Sequence, residues 1–241
     1  MPYRGIFFEK NQPVHIVSRA VEGIKIFENE EDCYRFIFHF WAANRGRRNS
    51  NIRGRDIIKA GQALLQGEDI PPKFIIEEHP PFVYLLDFSL VITHDHLYLV
   101  PNVENSVPSL IQKLNNGFAK YFNLKHNRKN TLFGDRYKSI LVGREFQSDA
   151  VSRYVSIINP LDVFQPGWRK EGLKDWEGAF NFLKNYQFSS FPDKIGARRA
   201  KILAPPEILE RYSILYKDEK ECEKFVKEFL KQKSSSLSLL E

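Results

Sequence analysis

The order strand, helix, strand, strand, helix, strand, helix along residues 13–158 predicts an α+β fold. Its sheet would be antiparallel and of the ferredoxin-like, split βαβ kind, followed by a helical C-terminal extension. Three observations carry this. "PVHIVSRAV" (13–21) and "VYLLDFSLVI" (83–92) are short and rich in β-branched or aromatic residues, as strands are. "HLYLV" follows the second of these after a tight turn, so the two would be neighbours. "SVPSLIQKLNNGFAKYFNLKHN" (106–127) repeats apolar residues at helical spacing.

The elements follow in order. "NEEDCYRFIFHFWAAN" (29–44) reads as a helix: its acidic start suits the positive end of the helix dipole, and Tyr34, Phe36, Phe40 and Ala43 fall on or near its buried side. Residues 45–81 read as an insertion or long connector. They open with the basic, exposed "RGRRNSNIRGR", continue with a short helix in "DIIKAGQALLQG", and end proline-rich. In 106–127, Val107, Leu110, Ile111, Leu114, Phe118, Tyr121 and Phe122 form the apolar stripe. Ser106 is placed to cap this helix, and Pro108 is tolerated in its first turn. "DRYKSILV" (135–142) is a further strand, and "QSDAVSRYVSII" (147–158) a helix expected to stop before Pro160. These parts make one domain over 1–160. Residues 161–241 form an aromatic extension with two charged helices in 205–233 and a disordered tail, "SSSLSLLE".

Composition narrows the function. The chain has 241 residues, enough for a core without staples. Its two cysteines, Cys33 and Cys222, suggest neither a disulfide framework nor a thiolate metal site, which suits a reducing cytoplasm. No apolar run is long enough for a membrane, and charges interrupt the N-terminal stretch that a signal peptide would need. The net charge of +6 favours an anionic partner, nucleic acid first. No glycine-rich phosphate loop is present, which disfavours a nucleotide-driven enzyme.

The sharpest local signal is "ITHDHLYLVP" (92–101). In a strand, alternate side chains share a face, so His94, His96 and Tyr98 point one way. Two same-face imidazoles make half of a metal site, or two histidines that bind nothing. Of the other histidines, His15 and His39 read as structural and His79 and His126 as exposed. Tyr154 borders a stripe of Val151, Val155 and Ile158, and on its own reads as a core residue.

Taken together, the blocks resemble the REP-associated, transposase-like single-tyrosine proteins of the HUH nuclease superfamily. The resemblance covers about residues 13–195. "VHIVSRAVEGIKIFENEEDCYRF" looks like the family's opening strand, arginine-containing turn and first helix, and "THDHLYL" occupies the place of its N-H-x-H-L-L block. "LIQKLNNGFAKYFNLKHNRKNTLFGDRYKSILV" is similar to its next helix and strand, "SRYVSIINPLD" to its R-Y-I-H-L-N-P helix, and "DWEGAFNFLKNYQFSSFPDKIG" to its tail segment. The resemblance implies an enzyme that cuts one DNA strand. A tyrosine oxygen attacks phosphorus and keeps the 5′ phosphate, a 3′ hydroxyl leaves, and a later hydroxyl attack rejoins or transfers the strand. It implies Tyr154 as nucleophile, His94 and His96 as metal ligands, Mg²⁺ or Mn²⁺ as cofactor, and single-stranded or hairpin-forming repeat DNA as partner, with the protein a monomer or homodimer. Mn²⁺ suits imidazole better than Mg²⁺ does.

The chain departs from the family pattern in four places. Asp95 stands between the histidines, pointing to the opposite face, where a carboxylate has to be solvated or paired. Thr93 replaces an asparagine. Asn159, matching the family's third ligand, lies five residues after Tyr154 instead of four, about 140° round a regular helix. A π-bulge in "YVSIIN" would restore the alignment; otherwise Asn159 sits past the helix end or the third ligand is lost. Ser156 stands where the family often has histidine, and ligates poorly. In "LFGDRYKS" the glycine is moved and Asp135 added, while Arg136 and Lys138 still match basic positions. Arg19, Arg136 and Lys138 are candidate phosphate contacts, as are Arg45, Arg47, Arg48, Arg53 and Arg55 in the basic loop; each also fits a solvated surface. A DNA-binding protein on the same fold that has lost cleavage is the rival expectation.

Overall fold

The computed structural model describes residues 6–46, 55–74, 80–134, 137–143, 145–212, 215–216 and 218–231. Four strands form one antiparallel sheet in the order β2-β3-β1-β4, with β1 at Val14–Arg19, β2 at Val83–Val91, β3 at His94–Pro101 and β4 at Lys138–Leu141. This is the predicted split βαβ arrangement.

The period of two sorts side chains onto two faces. Val14, Ile16, Leu85, Phe88, Leu90, Leu97 and Leu99 point into one core, against α1 (Glu30–Asn44) and α3 (Ser106–Lys125). Helix α1 is buried on nearly every side, because α2 (Arg55–Gln66), inside the 45–81 stretch, packs on its outer surface. Gly61 permits that approach: a Cβ there would lie 2.2 Å from the Tyr34 carbonyl oxygen.

The opposite face carries Leu86, Tyr98 and Val100 beneath a second core. It is roofed by α4 (Glu145–Arg153), a π-turn (Tyr154–Ile158) and α5 (Asn159–Phe164). The extension completes it through α6 (Trp168–Glu171), α7 (Trp176–Asn185), α8 (Phe191–Lys194), α9 (Pro206–Tyr212) and α10 (Glu219–Lys231), with Trp168, Phe180, Leu183, Val226 and Phe229 turned inward. The expected tail, 234–241, lies outside the described residues.

A β-bulge places a charge in this second core. The β2–β3 register passes from Leu85↔Leu99 to Asp87↔Tyr98, so Leu86 is the extra residue and Asp87 shares its face. Asp87 is fully buried, ion-paired to Lys194 Nζ at 2.9 Å and hydrogen-bonded by the hydroxyls of Ser190 and Ser152 at 2.8 Å each. The extension also runs along the outer edge of β2. Leu90 N donates to Phe188 O, Ser190 N to Phe88 O and Ala204 N to Leu85 O.

Two local expectations are corrected. Ser106 does not cap α3: Asn105 is the N-cap, with left-handed φ 52° and no side-chain cap bond, while the Ser106 hydroxyl donates to Val103 O and Phe82 O. Nor does the fourth helix stop before Pro160. It continues as α5 through Phe164, because the π-turn changes the bonding pattern just where proline lacks an N–H. No described helix is long and apolar enough to cross a membrane.

Candidate active site

Register brings three histidines together. His15 pairs with Tyr98 across β1–β3, and Arg19 with His94, so all four belong to the face that the π-turn covers. His94 and His96 have ring centroids 4.9 Å apart, and His15 stacks on His96 at 5.2 Å. Tyr154 packs edge-on to His96 at 5.9 Å and to His15 at 6.1 Å. The sequence-predicted Tyr154, His94 and His96 thus meet in one place.

Burial holds all three imidazoles neutral, the form that binds metals. His15 and His94 are each pushed down to about 3, His94 also by the charges of Arg19 and Arg169. His96 is driven well below its usual range by burial, then by its histidine neighbours and the same two arginines. His15 Nε2 and His96 Nδ1 share a hydrogen bond of 3.0 Å, and among the described residues His96 Nε2 has no partner. When His96 Nδ1 is the donor to His15, that buried, unpartnered nitrogen keeps the lone pair a metal ligand requires. His94 Nδ1 lies 3.0 Å from the Thr93 hydroxyl and 3.4 Å from Arg19 Nη1; in the tautomer that donates to Thr93, and does not accept from Arg19, Nε2 of His94 keeps a lone pair. The donors therefore fit a divalent cation through two imidazoles. Among the described residues no group of three histidine, cysteine or carboxylate side chains could hold one, so a third donor has to be of another kind.

Asn159 is of that kind. Its backbone N–H bonds to Tyr154 O, the i→i+5 bond of the π-turn. The extra residue restores to one face two positions that a regular helix would separate. Arg169 then bridges them, with Nη1 donating to the Tyr154 hydroxyl at 3.1 Å and Nη2 to Asn159 Oδ1 at 3.0 Å. Asp162 anchors the guanidinium by bonds of 2.9 Å from Nε and 2.6 Å from Nη2. Burial works against the charge on Arg169, and the bonds and charges of Asp162 and Tyr154 together more than offset it. Tyr154 itself is 1% exposed, with Phe229 of α10 at 6.3 Å and the Arg169 guanidinium above its ring at 5.3 Å.

Ser156 takes no part in this cluster: its hydroxyl donates to Ser152 O and meets the Tyr216 hydroxyl at 2.6 Å. Asp95 corrects an expectation. It does face the other core, but it is fully buried and among the described residues neither carboxylate oxygen has a partner. Desolvation raises it well above the usual carboxylate range, which favours the neutral acid over a solvated or paired carboxylate.

Of the candidate phosphate contacts, Arg19 is exposed, with Nη1 3.4 Å from His94 Nδ1, beside the cluster. Lys138 is exposed at the start of β4. Arg45 is half-buried and lies over the Trp41 ring at 4.9 Å, and Arg55 opens α2. Arg47, Arg48, Arg53 and Arg136, like Asp135 and His79, lie outside the described residues. His15 and Arg169 were missed as site residues. His15 could have been found from strand alternation had the β1–β3 register been known. Arg169, in "PGWRKEG", carries no local signal.

No family model matches the sequence, and no curated protein matches it. Among solved structures, the fold is similar to that of a REP-associated tyrosine transposase bound to a REP hairpin. The TM-score is 0.50 at 11% identity, over 81% of this chain and 86% of that one. At this identity the likeness speaks to the fold.

Proposed function

We propose that this protein cleaves and rejoins single-stranded DNA through a 5′-phosphotyrosine on Tyr154, with His94, His96 and Asn159 as ligands of a divalent cation. The observation that supports the reading is the π-turn, across which Arg169 bonds both Tyr154 and Asn159 while Tyr154 packs on the buried imidazole of His96. The neighbouring fold's association with a REP hairpin supports hairpin-forming repeat DNA as substrate. When bound, Mg²⁺ or Mn²⁺ would neutralise and orient the scissile phosphate. Tyr154 Oη would form the bond to phosphorus and lose its proton as the P–O3′ bond breaks and the 3′ oxygen takes one up. Arg19, exposed beside His94, would receive a flanking phosphate. For a strand to reach the hydroxyl, Phe229 and Arg169 have to give way. A reducing setting such as the cytoplasm suits the two buried free thiols.

The test is an SDS-resistant adduct on incubation with labelled hairpin DNA and Mn²⁺. Tyr154→Phe should abolish it and leave binding largely intact; an adduct that survives in Tyr154→Phe removes this residue as nucleophile. The burial of Tyr154 favours the rival reading, a DNA-binding protein that has lost cleavage. That reading expects binding without any adduct from the wild-type protein.

A further inference from the structure

We infer that Arg169 gates the metal site, holding the third-ligand oxygen until a DNA phosphate draws the guanidinium away. The inference rests on the proposed roles of His94, His96, Tyr154 and Asn159, and adds a residue that neither the motifs nor the resemblance pointed to.

Four hydrogen bonds tie down the fork of Arg169. Its Nε and one Nη2 bond go to Asp162, and the remaining reach of Nη1 and Nη2 takes the oxygens of Tyr154 and Asn159. Asn159 is fully buried, and its amide nitrogen has no partner among the described residues, so the carboxamide is held in the site through its oxygen. The same oxygen is the donor that a two-imidazole site lacks. A guanidinium cannot shed its proton to make room for another cation. A dication beside Asn159 Oδ1 would therefore meet a fixed positive charge across one oxygen atom, with the Phe229 ring packed beside that guanidinium. Arg169 has to move before the third donor becomes available.

What moves it is argued from its chemistry. The guanidinium matches phosphate with two parallel hydrogen bonds, and its charge gains more from a full anion than from a phenol and an amide. The Arg169 side chain is 19% exposed and its Asp162 partner 24%, so a phosphate can approach without unfolding α6. Once it is transferred, Tyr154 and Asn159 are released together, the first for attack and the second for the cation. DNA and metal then favour each other's binding, by the same factor in either order.

The experiment measures Mn²⁺ bound to the full chain by electron paramagnetic resonance, with and without a short oligothymidylate. Wild type should bind Mn²⁺ weakly alone and roughly tenfold more tightly with the oligonucleotide, a coupling of ordinary allosteric size. Arg169→Gln should bind Mn²⁺ about as tightly alone as wild type does with DNA, and gain little from DNA. Arg169→Lys keeps the stem and charge but not the fork. It should lie between the two, and it carries the test if the glutamine variant fails to fold. Either variant binding Mn²⁺ no more tightly than wild type in the absence of DNA overturns the gate. His96→Ala separates this failure from failure of the site: if it weakens Mn²⁺ binding while Arg169→Gln changes nothing, the metal site stands and the gate falls. If His94→Ala and His96→Ala both leave Mn²⁺ affinity unchanged, the metal reading falls and takes the gate with it.

Discussion

Replacing Lys194 by methionine strips a buried carboxylate of its counter-charge while keeping most of the side-chain volume. Asp87 and Lys194 have side chains 0% and 4% exposed, and their contact is 2.9 Å. Two serine hydroxyls remain on Asp87 in the variant, from Ser190 and Ser152, but neither carries charge. Removing one partner of such a pair costs about 3–5 kcal/mol, a large share of a total stability of roughly 5–15 kcal/mol. At about 2–4 °C per kcal/mol for a chain of this size, the melting temperature should fall by roughly 10 °C. The double variant Asp87→Leu, Lys194→Met should recover most of that loss, because no charge is left without a partner. Equilibrium denaturation of the two single variants and the double variant gives the coupling directly. A Lys194→Met cost under about 1 kcal/mol, or a double variant no better than the worse single one, refutes the reasoning.

Other expectations follow from the same geometry. Burial holds His39 down at about 3 against an ordinary 6.5, so the unfolded chain binds the extra proton between those values and stability falls as pH drops through them. The loss is about 1.4 kcal/mol per pH unit, and His39→Leu should remove it; parallel unfolding curves for the two proteins from pH 6.5 to 5 would exclude this. Gly61→Ala puts a methyl into the Tyr34 carbonyl and should cost about 1–3 kcal/mol, which denaturant midpoints can measure. Changing Arg45, Arg47, Arg48, Arg53 and Arg55 to serine should flatten the salt dependence of DNA affinity, by about 0.7 in slope for each lost single-strand contact. An unchanged slope returns that loop to the solvent.

The sheet and α3 could be read before any coordinates, because their apolar periods of two and 3.6 leave few alternatives. Val14, Ile16, Leu97 and Leu99 fall where alternation puts them, and Leu110, Leu114 and Phe118 where helical spacing does. The pairing of His94 with His96 is legible for the same reason. What could not be read is whatever depends on one extra residue or on a distant partner. The displaced Asn159 raises a π-bulge in "YVSIIN" as one of three alternatives, and the structure has that bulge, but the sequence could not choose among them, since no composition distinguishes an i→i+5 bond from an i→i+4 bond. The bulge at Leu86 sets Asp87 on the second-core face, where alternation counted from Leu85 would put it in the first core. The carboxylate of Asp95 reads as needing solvent or a partner, and burial instead favours its neutral form. Arg169 becomes a site residue only because α6 returns over α5, a fact of topology with no trace in "PGWRKEG".

The segment bonded along the rim of β2 has a bearing on self-association. An unprotected outer strand is a template on which a second molecule can continue the sheet, and chains that leave one bare tend to aggregate. Here Phe188, Ser190 and Ala204 occupy those positions from within the same chain. The opposite rim is the four-residue β4, which begins with an exposed lysine. Short length and a charged side chain both discourage strand addition. Clipping the chain before residue 186 would therefore remove the Arg169 site's neighbours and also bare the backbone of β2, and the shortened protein should be lost to precipitation before its chemistry could be assayed.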